Sequence, residues 1–428
     1  MKLLLTGGEV VDPANKVRGK FDLLIEDGKI AKVEKGLRAD GAQVLDVSGK
    51  VVVPGLIDMH VHLREPGFEY KETIETGTRA ALAGGVTTVA CMPNTEPVID
   101  NAAVVDLVIS KAKSEGVINV LPIASITKGA KGEEVSELGS LAESGAIAFS
   151  DDAAPVMNAE LMRRAMEYAS QFNLPVITHC EDKNMTLDGV MNESFTSTVL
   201  GLRGMPDIAE SIMAYRNIEI ANYTGARVHI AHVSCKATVD VIRWAKKTGL
   251  NVTCETAPHY FTLTDEAVKG YDTNTKMNPP LRTQKDVEAV IEGLIDGTID
   301  CIATDHAPHG RIDKEVEFNT ASFGIIGLET MLPLAITELV LKKRLTLEQA
   351  IEKLSVSPAK ILGIKKGSLK AGADADIAVF DMENEYTVDI TKFYSKSKNS
   401  PFNGRKLKGK IFAAIVGGTL KLKDGKIL

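Results

Sequence analysis

The chain has 428 residues, of which 44% are hydrophobic and 25% charged, a balance typical of a folded globular protein rather than a disordered or fibrous one. Its net charge of −7 is modest and it carries no long basic block, which argues against a nucleic-acid partner. No apolar run is long enough to span a membrane, and the first residues lack the apolar core of a signal peptide. With five widely spaced cysteines, these features predict a cytoplasmic protein with buried free thiols.

Short β-type runs dominate residues 1–55, where Gly and Asp-Gly turns separate the apolar stretches and Pro54-Gly55 closes the region. Similar runs return at 376–381, 410–416 and 420–423. We therefore predict one small β-sandwich domain built from both termini, with residues 1–55 as its N-terminal part and residues 356–428 as its C-terminal return. The densest basic stretch, 392–410, is interpreted as a solvated surface.

Residues 56–355 alternate between apolar runs and stretches with helical periodicity. Almost fully apolar runs suit strands buried on both faces of a parallel sheet, and eight such units predict a (β/α)8 barrel of the TIM type. A doubly wound open sheet is the alternative, which the absence of a Gly-x-Gly-x-x-Gly turn after the first run disfavours. The apolar runs are 56–61, 86–91, 119–124, 146–149, 175–179, 228–233, 251–254 and 299–303, and the main helical candidates are 73–83, 102–115, 160–172, 207–224, 236–248 and 284–296.

Candidate metal ligands follow several of these runs. The first run ends in His60-Val61-His62, and because residues two apart on a strand point to the same side, both imidazoles can bind one ion. Barrel active sites lie at the carboxyl ends of the strands, so candidates that follow other runs are predicted to meet at the same rim. These are Asp151-Asp152 after the fourth run, His179 and His232 at the ends of the fifth and sixth, and Asp305 after the eighth.

Four imidazoles and two carboxylates exceed the needs of one tetrahedral site and suit two metals that share a carboxylate. Nitrogen and oxygen donors favour Zn²⁺, with Co²⁺, Mn²⁺ or Fe²⁺ also compatible. Water bound to such a metal ionises near neutral pH and becomes a nucleophile, and a nearby carboxylate can take up and return the proton. The predicted chemistry is metal-assisted hydrolysis or its reverse.

The other histidines rank below these. His229, three residues before His232, is expected to face the other way on its strand, and His306 is expected to point away from the site. His259 follows the seventh run and could either support the site from behind or be purely structural. His309, in a turn between Pro308 and Gly310, is the better candidate for direct contact.

Several segments together resemble the dihydroorotase family of the amidohydrolase superfamily, in its bacterial class I branch. The resemblance covers nearly the whole chain, and the segments around Arg64, Asn94 and Asn278 are more specific than the His-x-His pair, which marks only the superfamily. The matching segments are 58–67 (DMHVHLREPG), 92–95 (MPNT), 149–152, 179–182, 231–234, 276–282, 305–310, 323–329, 357–360 and 372–376.

This resemblance implies a reaction and a metal site. The reaction is the reversible cyclisation of N-carbamoyl-L-aspartate to L-dihydroorotate, with loss of water, in de novo pyrimidine synthesis. One or two Zn²⁺ ions per subunit are implied, with Asp152 bridging them and Asp305 also shuttling the proton. The implied ligands are His60, His62 and Asp305 for one ion and His179 and His232 for the other.

The resemblance also implies substrate contacts. Arg64, Asn94 and His309 would hold the substrate carboxylate, His62 would lie against the substrate, and Asn278 with the Phe323-Gly324 backbone would contact its ring. An anionic substrate needs guanidinium and amide donors of this kind.

Other members of the superfamily provide the main alternative. Hydantoinases and dihydropyrimidinases bridge their metals with a carboxylated lysine at the end of strand four, where this chain has Asp151-Asp152. The sequence therefore favours a dihydroorotase over a hydantoinase-type or allantoinase-type cyclic amidohydrolase. The choice of Asp152 over Asp151 as the bridge rests on motif position alone.

A second alternative is a non-catalytic, dihydroorotase-like scaffold that binds aspartate transcarbamoylase, although filled positions for all six ligands argue against it. The family also implies a homodimer and a possible complex with aspartate transcarbamoylase. The polar segment 310–322 is predicted to be a mobile loop that closes over the substrate.

Overall fold

The computed structural model describes residues 2–428, which begin with short strands. Leu3 and Leu5 of the first strand pack into a small apolar core of their own, separate from the main core. Two of the strands, β2 and β3, were not predicted: Gly8 and Pro13 leave only a short run for β2, and β3 is a mostly polar run that contains Gly19. The strands before the barrel are β1 (Lys2–Thr6), β2 (Glu9–Asp12), β3 (Val17–Lys20), β4 (Asp22–Glu26), β5 (Lys29–Glu34), β6 (Gln43–Asp46) and β7 (Val51–Pro54).

A ring of parallel strands follows. Its strands are β8 (Leu56–Val61), β9 (Val86–Cys91), β10 (Asn119–Pro122), β11 (Pro175–Thr178), β14 (Arg227–Ile230), β15 (Val252–Thr256) and β16 (Cys301–Ile302), and a separate pair, β12 (Met191–Asn192) and β13 (Gly204–Met205), lies between β11 and β14 in the chain. β8, β9 and β10 pair in order, as do β11, β14, β15 and β16, while β12 pairs only with β13. Bridges at Phe149 and between His306 and Val61 join the two groups into a closed ring. The predicted (β/α)8 barrel is confirmed.

The fourth barrel strand is shorter than predicted. Instead of a strand over 146–149, only Phe149 is bridged, to Ala124 on one side and Val176 on the other. The chain enters this position from Gly145 at φ +107° and leaves it at Asp152 at φ +45°, so it cannot stay extended for long. Its position in the ring is nevertheless kept, because Phe149 N donates to Pro175 O at 3.0 Å.

Helices surround the barrel, and their boundaries follow capping residues. Thr73 accepts a hydrogen bond from Thr76 N at the start of the first, and Asn101 accepts one from Val104 N at the start of the second. The helices are α1 (Ile74–Ala83), α2 (Ala102–Glu115), α3 (Leu138–Glu143), α4 (Ala159–Ser170), α5 (Lys183–Thr186), α6 (Phe195–Leu200), α7 (Ile208–Thr224), α8 (Lys236–Lys247), α9 (Gln284–Asp296), α10 (Arg311–Lys314), α11 (Met331–Leu334), α12 (Leu347–Ile351) and α13 (Ser357–Leu362), with π-helical turns at Ala335–Val340 and Glu352–Val356.

The tail of the chain returns to the first strands. Its strands are β17 (Ile377–Asp381), β18 (Tyr386–Thr387), β19 (Lys406–Leu407), β20 (Lys410–Val416), β21 (Thr419–Lys423) and β22 (Lys426–Ile427). β17 pairs antiparallel with β7, in a sheet of order β22-β21-β20-β17-β7-β2-β3 that contains strands from both ends of the chain. The boundaries proposed at residues 55/56 and 355/356 stay a prediction.

The basic stretch 392–410 agrees with its interpretation as a solvated surface at Lys392, Lys396, Lys406 and Lys410, which are exposed, but other residues of the stretch are buried. Ser395, Ser397 and Asn399 are buried, while Lys396 between them is exposed. The alternation arises because this extended segment lies across loops of the barrel and turns every second side chain inward. All five cysteines are buried and free, as predicted. Within residues 2–428, no helix combines the length and apolarity needed to cross a membrane.

Candidate active site

A cleft of about 300 Å³ opens at the carboxyl ends of the barrel strands. Every residue predicted for the site lines it except His60, which is buried directly behind the lining at 1% exposure. The predicted residues on the cleft wall are His62, Arg64, Asn94, Asp152, His179, His232, Asn278, Asp305, His309, Phe323 and Gly324.

A β-bulge directs the His-x-His pair into the barrel. Asp58 pairs with Val89 and Val61 with Cys91, so β8 has one residue more than β9 between these points. Met59 lies in the apolar interior of the barrel, and the extra residue lets His60 point inward as well. The buried carboxylate of Asp58 accepts hydrogen bonds from His60 N and Thr304 N, both at 3.1 Å, and so joins the first strand to the segment carrying Asp305.

Two carboxylates face the imidazoles of this pair. His60 Nε2 lies 3.2 Å from Asp152 Oδ1 and 3.5 Å from Asp305 Oδ1. His62 Nε2 lies 3.1 Å from Asp305 Oδ1 and 3.8 Å from Asp152 Oδ2. The structure therefore brings together side chains from the ends of the first, fourth and eighth strands.

The remaining two histidines lie beside this group. His179 Nδ1 and His232 Nε2 are 2.8 Å apart, and the ring centroids of His232 and His60 are 5.2 Å apart. Burial, together with His179 and His60, lowers the pKa of His232 to about 3, so this imidazole is neutral. Among the described residues, its buried Nδ1 has no hydrogen-bond partner.

The donor set fits a divalent metal. His60 Nδ1 donates to Glu255 Oε1 at 2.7 Å, which leaves Nε2 with a lone pair that faces the carboxylates of Asp152 and Asp305. Burying an imidazole nitrogen beside two carboxylates is unfavourable unless a proton or a cation lies between them. Two triads, His60-Asp152-His232 and His60-His62-Asp305, each place three donor atoms within 4.8 Å of one another.

Electrostatics in the cluster follow from burial and opposite charge. Burial opposes ionisation of Asp152, but His62 and His60 hold the pKa of this carboxyl well below its usual range. Burial also disfavours the charge on His60, yet Glu255 and Asp152 raise the pKa of His60 well above its usual value. The carboxylates are thus ionised and the site attracts positive charge, whether protons or a metal.

Backbone strain is concentrated at the same residues. Arg64, Asp152, His232 and Asp305 have φ values of +62°, +45°, +35° and +50°, in the left-handed region that non-glycine residues rarely occupy. Such conformations cost free energy and persist where the surrounding structure enforces them, commonly at functional sites.

The two neighbouring aspartates have separate environments. Asp151 is turned away from the cluster: its carboxylate accepts from Ser125 Oγ at 2.6 Å and from Thr127 N at 3.0 Å. Asp152 faces the imidazoles, and its Oδ2 accepts from Asn94 Nδ2 at 2.8 Å. Asp152 is therefore the aspartate that the fold places in the cluster.

A second group of residues in the cleft lining contains Arg64 and His309. Arg64 Nε donates to Pro308 O at 3.1 Å, and Arg64 Nη2 lies 3.4 Å from His309 Nε2. His309 Nε2 donates to Phe323 O at 2.7 Å, and burial with the charges of Arg64 and Lys71 lowers the pKa of His309. The buried guanidinium of Arg64 makes this part of the cleft receptive to an anion.

Asn278 and the Phe323-Gly324 segment close the cleft. Asn278 Nδ2 donates to Glu181 Oε2 at 2.9 Å. Gly324 N donates to Lys276 O at 2.9 Å, so this backbone is already bonded on the side away from the cleft.

Sequence reasoning gave the wrong direction for His229. This side chain points into the barrel, with Nε2 at 3.4 Å from Glu255 Oε2 and Nδ1 at 2.9 Å from Thr253 Oγ1. Strand alternation does not relate it to His232, because β14 ends at Ile230 and His232 lies beyond it at φ +35°. His306 does point away, toward Glu72, and His259 is buried near the site.

Two carboxylates at the site were not predicted. Glu255 supports His60, and Glu181 accepts from His179 Nε2 at 2.9 Å and from Lys183 Nζ at 2.6 Å. The sequence contains a feature that could have indicated each of them. Glu255 is an acidic residue within an apolar strand, and Glu181 follows His179 by two residues. A buried carboxylate next to a histidine commonly orients it.

Comparisons with known proteins agree with this site. Residues 49–238 match the dihydro-orotase-like family and residues 199–418 the amidohydrolase family. Dihydroorotase from Acetivibrio thermocellus is 54% identical over 426 residues and covers 100% of both chains, and dihydroorotase from Pelotomaculum thermopropionicum is 58% identical over 99% of both. The solved L-hydantoinase (dihydropyrimidinase) from Arthrobacter aurescens matches with a TM-score of 0.90 at 25% identity, covering 100% of this chain and 97% of that one.

The relatives extend over the full length of the chain, and the fold and the histidine-aspartate cluster lie within the matched regions. The amidohydrolases are metal-dependent enzymes, consistent with the donor set at the barrel rim. The chain belongs to the dihydroorotase family of the amidohydrolases.

Proposed function

We propose that this protein is a zinc-dependent dihydroorotase that interconverts N-carbamoyl-L-aspartate and L-dihydroorotate in pyrimidine biosynthesis. This cyclisation is the reaction of the family to which the full-length relatives belong. The observation that carries the proposal is one cleft that is lined both by the histidine-aspartate cluster and by the Arg64-His309 pair.

The cluster would hold two zinc ions. His60, His62 and Asp305 would be ligands of one and His179 and His232 of the other, and Asp152 would be shared between them. This assignment is supported by the position of Asp152, whose Oδ1 lies 3.2 Å from His60 Nε2 and which forms a triad with His60 and His232 whose donor atoms lie within 4.8 Å of one another. When bound, zinc supplies Lewis acidity, which polarises the reacting carbonyl and makes water a nucleophile at neutral pH.

Asp305 moves the proton in this proposal. Its Oδ1 is held close to His62 and His60, so Oδ2 is the oxygen left to exchange a proton with the substrate. Burial opposes its ionisation, but the hydrogen bond from His62 keeps the pKa of Asp305 below its usual value, so it begins as a base. In hydrolysis it takes the proton from water and returns it to the departing ring nitrogen, and in cyclisation the order reverses.

Arg64 and its neighbours would bind the substrate carboxylate. Arg64 is buried, its Nε donates to Pro308 O and its Nη2 lies 3.4 Å from His309 Nε2, so its other N–H groups are available to an anion. Asn94 and His309 are the other proposed carboxylate contacts: Asn94 keeps a second amide N–H beyond the one given to Asp152, and His309 would give the substrate the Nε2–H that it donates to Phe323 O in this structure. Asn94 also contacts the metal-binding cluster, since its Oδ1 lies 2.8 Å from His62 Nδ1.

Asn278 and the Phe323-Gly324 backbone are the proposed contacts for the ring. Asn278 is held in the cleft by Glu181. His62 lies on the metal side of the same space and would contact the reacting end of the ring.

Turnover of three rings tests the proposal. Purified zinc-loaded protein would be given L-dihydroorotate, hydantoin and dihydrouracil, and loss of ultraviolet absorbance would be followed. The proposal expects turnover of L-dihydroorotate with little or none of the two uncharged rings. Preference for the uncharged rings would assign the protein to the hydantoinase type instead, and absence of all turnover, even with added aspartate transcarbamoylase, would indicate a scaffold.

We further propose that the protein acts in the cytoplasm as a homodimer and that it can associate with aspartate transcarbamoylase. Family membership supports this proposal. Light scattering of the protein alone and mixed with that enzyme would measure both assemblies, and a monomer in each sample would contradict it.

A further inference from the structure

The tail segment 395–399 lies across the loop that follows β8. Ser397 Oγ donates to Lys71 O at 2.6 Å, and Lys396 N donates to Glu72 Oε1 at 3.0 Å. Ser395 Oγ also donates to the Glu72 carboxylate. The loop that follows β8 carries Arg64, so residues 395–397 of the tail hold the loop from which Arg64 enters the cleft.

Asn399, at the other end of the segment, holds the loops that carry His309 and Gly324. Its Nδ2 donates to Ala307 O at 3.0 Å and to Gly324 O at 3.1 Å. Its Oδ1 accepts from His309 N at 3.1 Å, and its backbone O accepts from Ile326 N at 3.0 Å. The side chain is only 4% exposed and uses both amide donors and its acceptor on backbone groups of the site.

These bonds reinforce a direct contact between the two loops, in which Ala307 N donates to Ile325 O at 2.8 Å. Gly324 has φ +124°, and a Cβ at this position would lie 2.6 Å from Ala307 Cβ. The backbone of Gly324 therefore packs directly against the side chain of Ala307. Gly324 O also accepts from Lys314 Nζ at 3.0 Å. The segment 307–309 in turn carries Pro308 O, the acceptor for Arg64 Nε. Arg64 and His309 therefore depend on the same short piece of backbone.

We infer that Asn399 is a positioning residue for the carboxylate end of the substrate, because its side chain fixes residues 307–309 and 324 around the Arg64-His309 pair. This inference rests on the proposed function. Asn399 touches neither the substrate space nor the proposed metal ligands by these bonds, so its effect acts through the alignment of Arg64 and His309. Loss of its side chain should weaken recognition of the anion more than the chemical step.

The test compares an anionic with a neutral ligand. Asn399→Ala is measured with L-dihydroorotate as substrate and with its methyl ester as a competing ligand, alongside wild type and the control Asn403→Ala, an exposed asparagine nearby that accepts from Ile390 N. We expect the KM for L-dihydroorotate to rise about tenfold, as for loss of a buried hydrogen-bonding group, with kcat and the Ki of the ester within about twofold of wild type. Asn403→Ala should leave all three values unchanged.

Asn399→Ser serves as the second variant, because the serine hydroxyl can bond to fewer of the three backbone groups that Asn399 holds. We expect a smaller rise in the KM for L-dihydroorotate than in Asn399→Ala, again with little change in kcat or in the Ki of the ester. An unchanged KM for L-dihydroorotate would overturn the inference. So would an equal loss of affinity for the acid and the ester together with a fall in zinc content, because a merely structural role of Asn399 produces one of these two results. Failure of wild type to turn over L-dihydroorotate would instead contradict the proposed function, which keeps the two failures distinct.

Discussion

Glu255 Oε1 accepts a hydrogen bond from His60 Nδ1 at 2.7 Å, while Glu255 Oε2 lies 3.4 Å from His229 Nε2. This contact holds the His60 ring so that its Nε2 faces Asp152 and Asp305. Carboxylates behind metal-binding histidines typically contribute 10- to 100-fold to metal affinity. We predict that Glu255→Gln weakens zinc binding by about that factor, measured by competition with a chromogenic chelator. Glu292→Gln, at an exposed glutamate, is the matched control, and equal zinc affinity for the two variants would contradict the assignment.

The two adjacent aspartates should separate metal binding from stability. Asp152→Asn is expected to lose bound zinc, because it removes a charge that faces His60 and His62. Asp151→Asn should keep the metal but lower the free energy of unfolding by about 2 kcal/mol, since it weakens hydrogen bonds from Ser125 and Thr127 to a buried carboxylate. Metal analysis and urea unfolding of both variants measure these effects. Loss of metal from the Asp151 variant alone would reverse the assignment.

Arg64 should discriminate charged from neutral ligands directly. Its buried guanidinium is replaced in Arg64→Gln by a neutral amide, so we predict a fall in kcat/KM for L-dihydroorotate of about 100-fold or more, as expected for loss of a charge-assisted contact. Affinity for the neutral methyl ester should change far less. Arg164→Gln, at an exposed arginine of α4, provides the control, and equal losses for acid and ester would argue against a carboxylate contact.

His259 should make stability depend on pH. Burial lowers the pKa of His259 to about 4, below its usual 6.5, so the unfolded chain binds a proton that the folded chain excludes between these values. The stability contribution is therefore complete above pH 6.5 and is lost as pH falls toward 4. When the pH is lowered from 7 to 5, the free energy of unfolding of metal-free wild type, measured with urea, should fall by about 2 kcal/mol more than that of His259→Gln. Identical pH dependence of the two proteins would contradict a neutral, buried His259.

The 310–322 segment stays a predicted lid, and the structure indicates how it is anchored. Lys276 Nζ donates to Phe318 O at 2.8 Å, and Lys314 Nζ donates to Ser322 O at 2.7 Å. We expect ligand to protect this segment from proteolysis, and Lys314→Met to increase cleavage in the absence of ligand. Limited proteolysis read by mass spectrometry measures both, and equal cleavage with and without ligand would exclude closure.

The sequence was sufficient to identify most of the site because barrel geometry converts chain position into spatial position. His60, His179, His232 and Asp305 follow different strands, yet they meet, since the carboxyl ends of parallel strands share one rim. Side-chain direction was harder to predict. The bulge in β8 and the left-handed residue His232 both break the alternation on which such arguments depend, and His229 was misjudged for this reason.

Residues that act by holding others were not predictable in the same way. Asn399 lies about 90 residues beyond His309 in a basic segment, and only the folded chain shows that it binds the His309 backbone. Glu255 and Asp58 are ordinary acidic residues until strand pairing places them beside His60 and Thr304. Contacts of this kind depend on tertiary packing, which local pattern does not encode.

The most direct measurement of the central claim is the rate of L-dihydroorotate hydrolysis and the zinc content of the same sample, before and after removal of metal with a chelator and after return of zinc. The account predicts that the rate falls with zinc content and recovers when zinc is restored, with hydantoin and dihydrouracil scarcely turned over at any stage. Full activity in metal-free protein, or faster turnover of the uncharged rings, would contradict it.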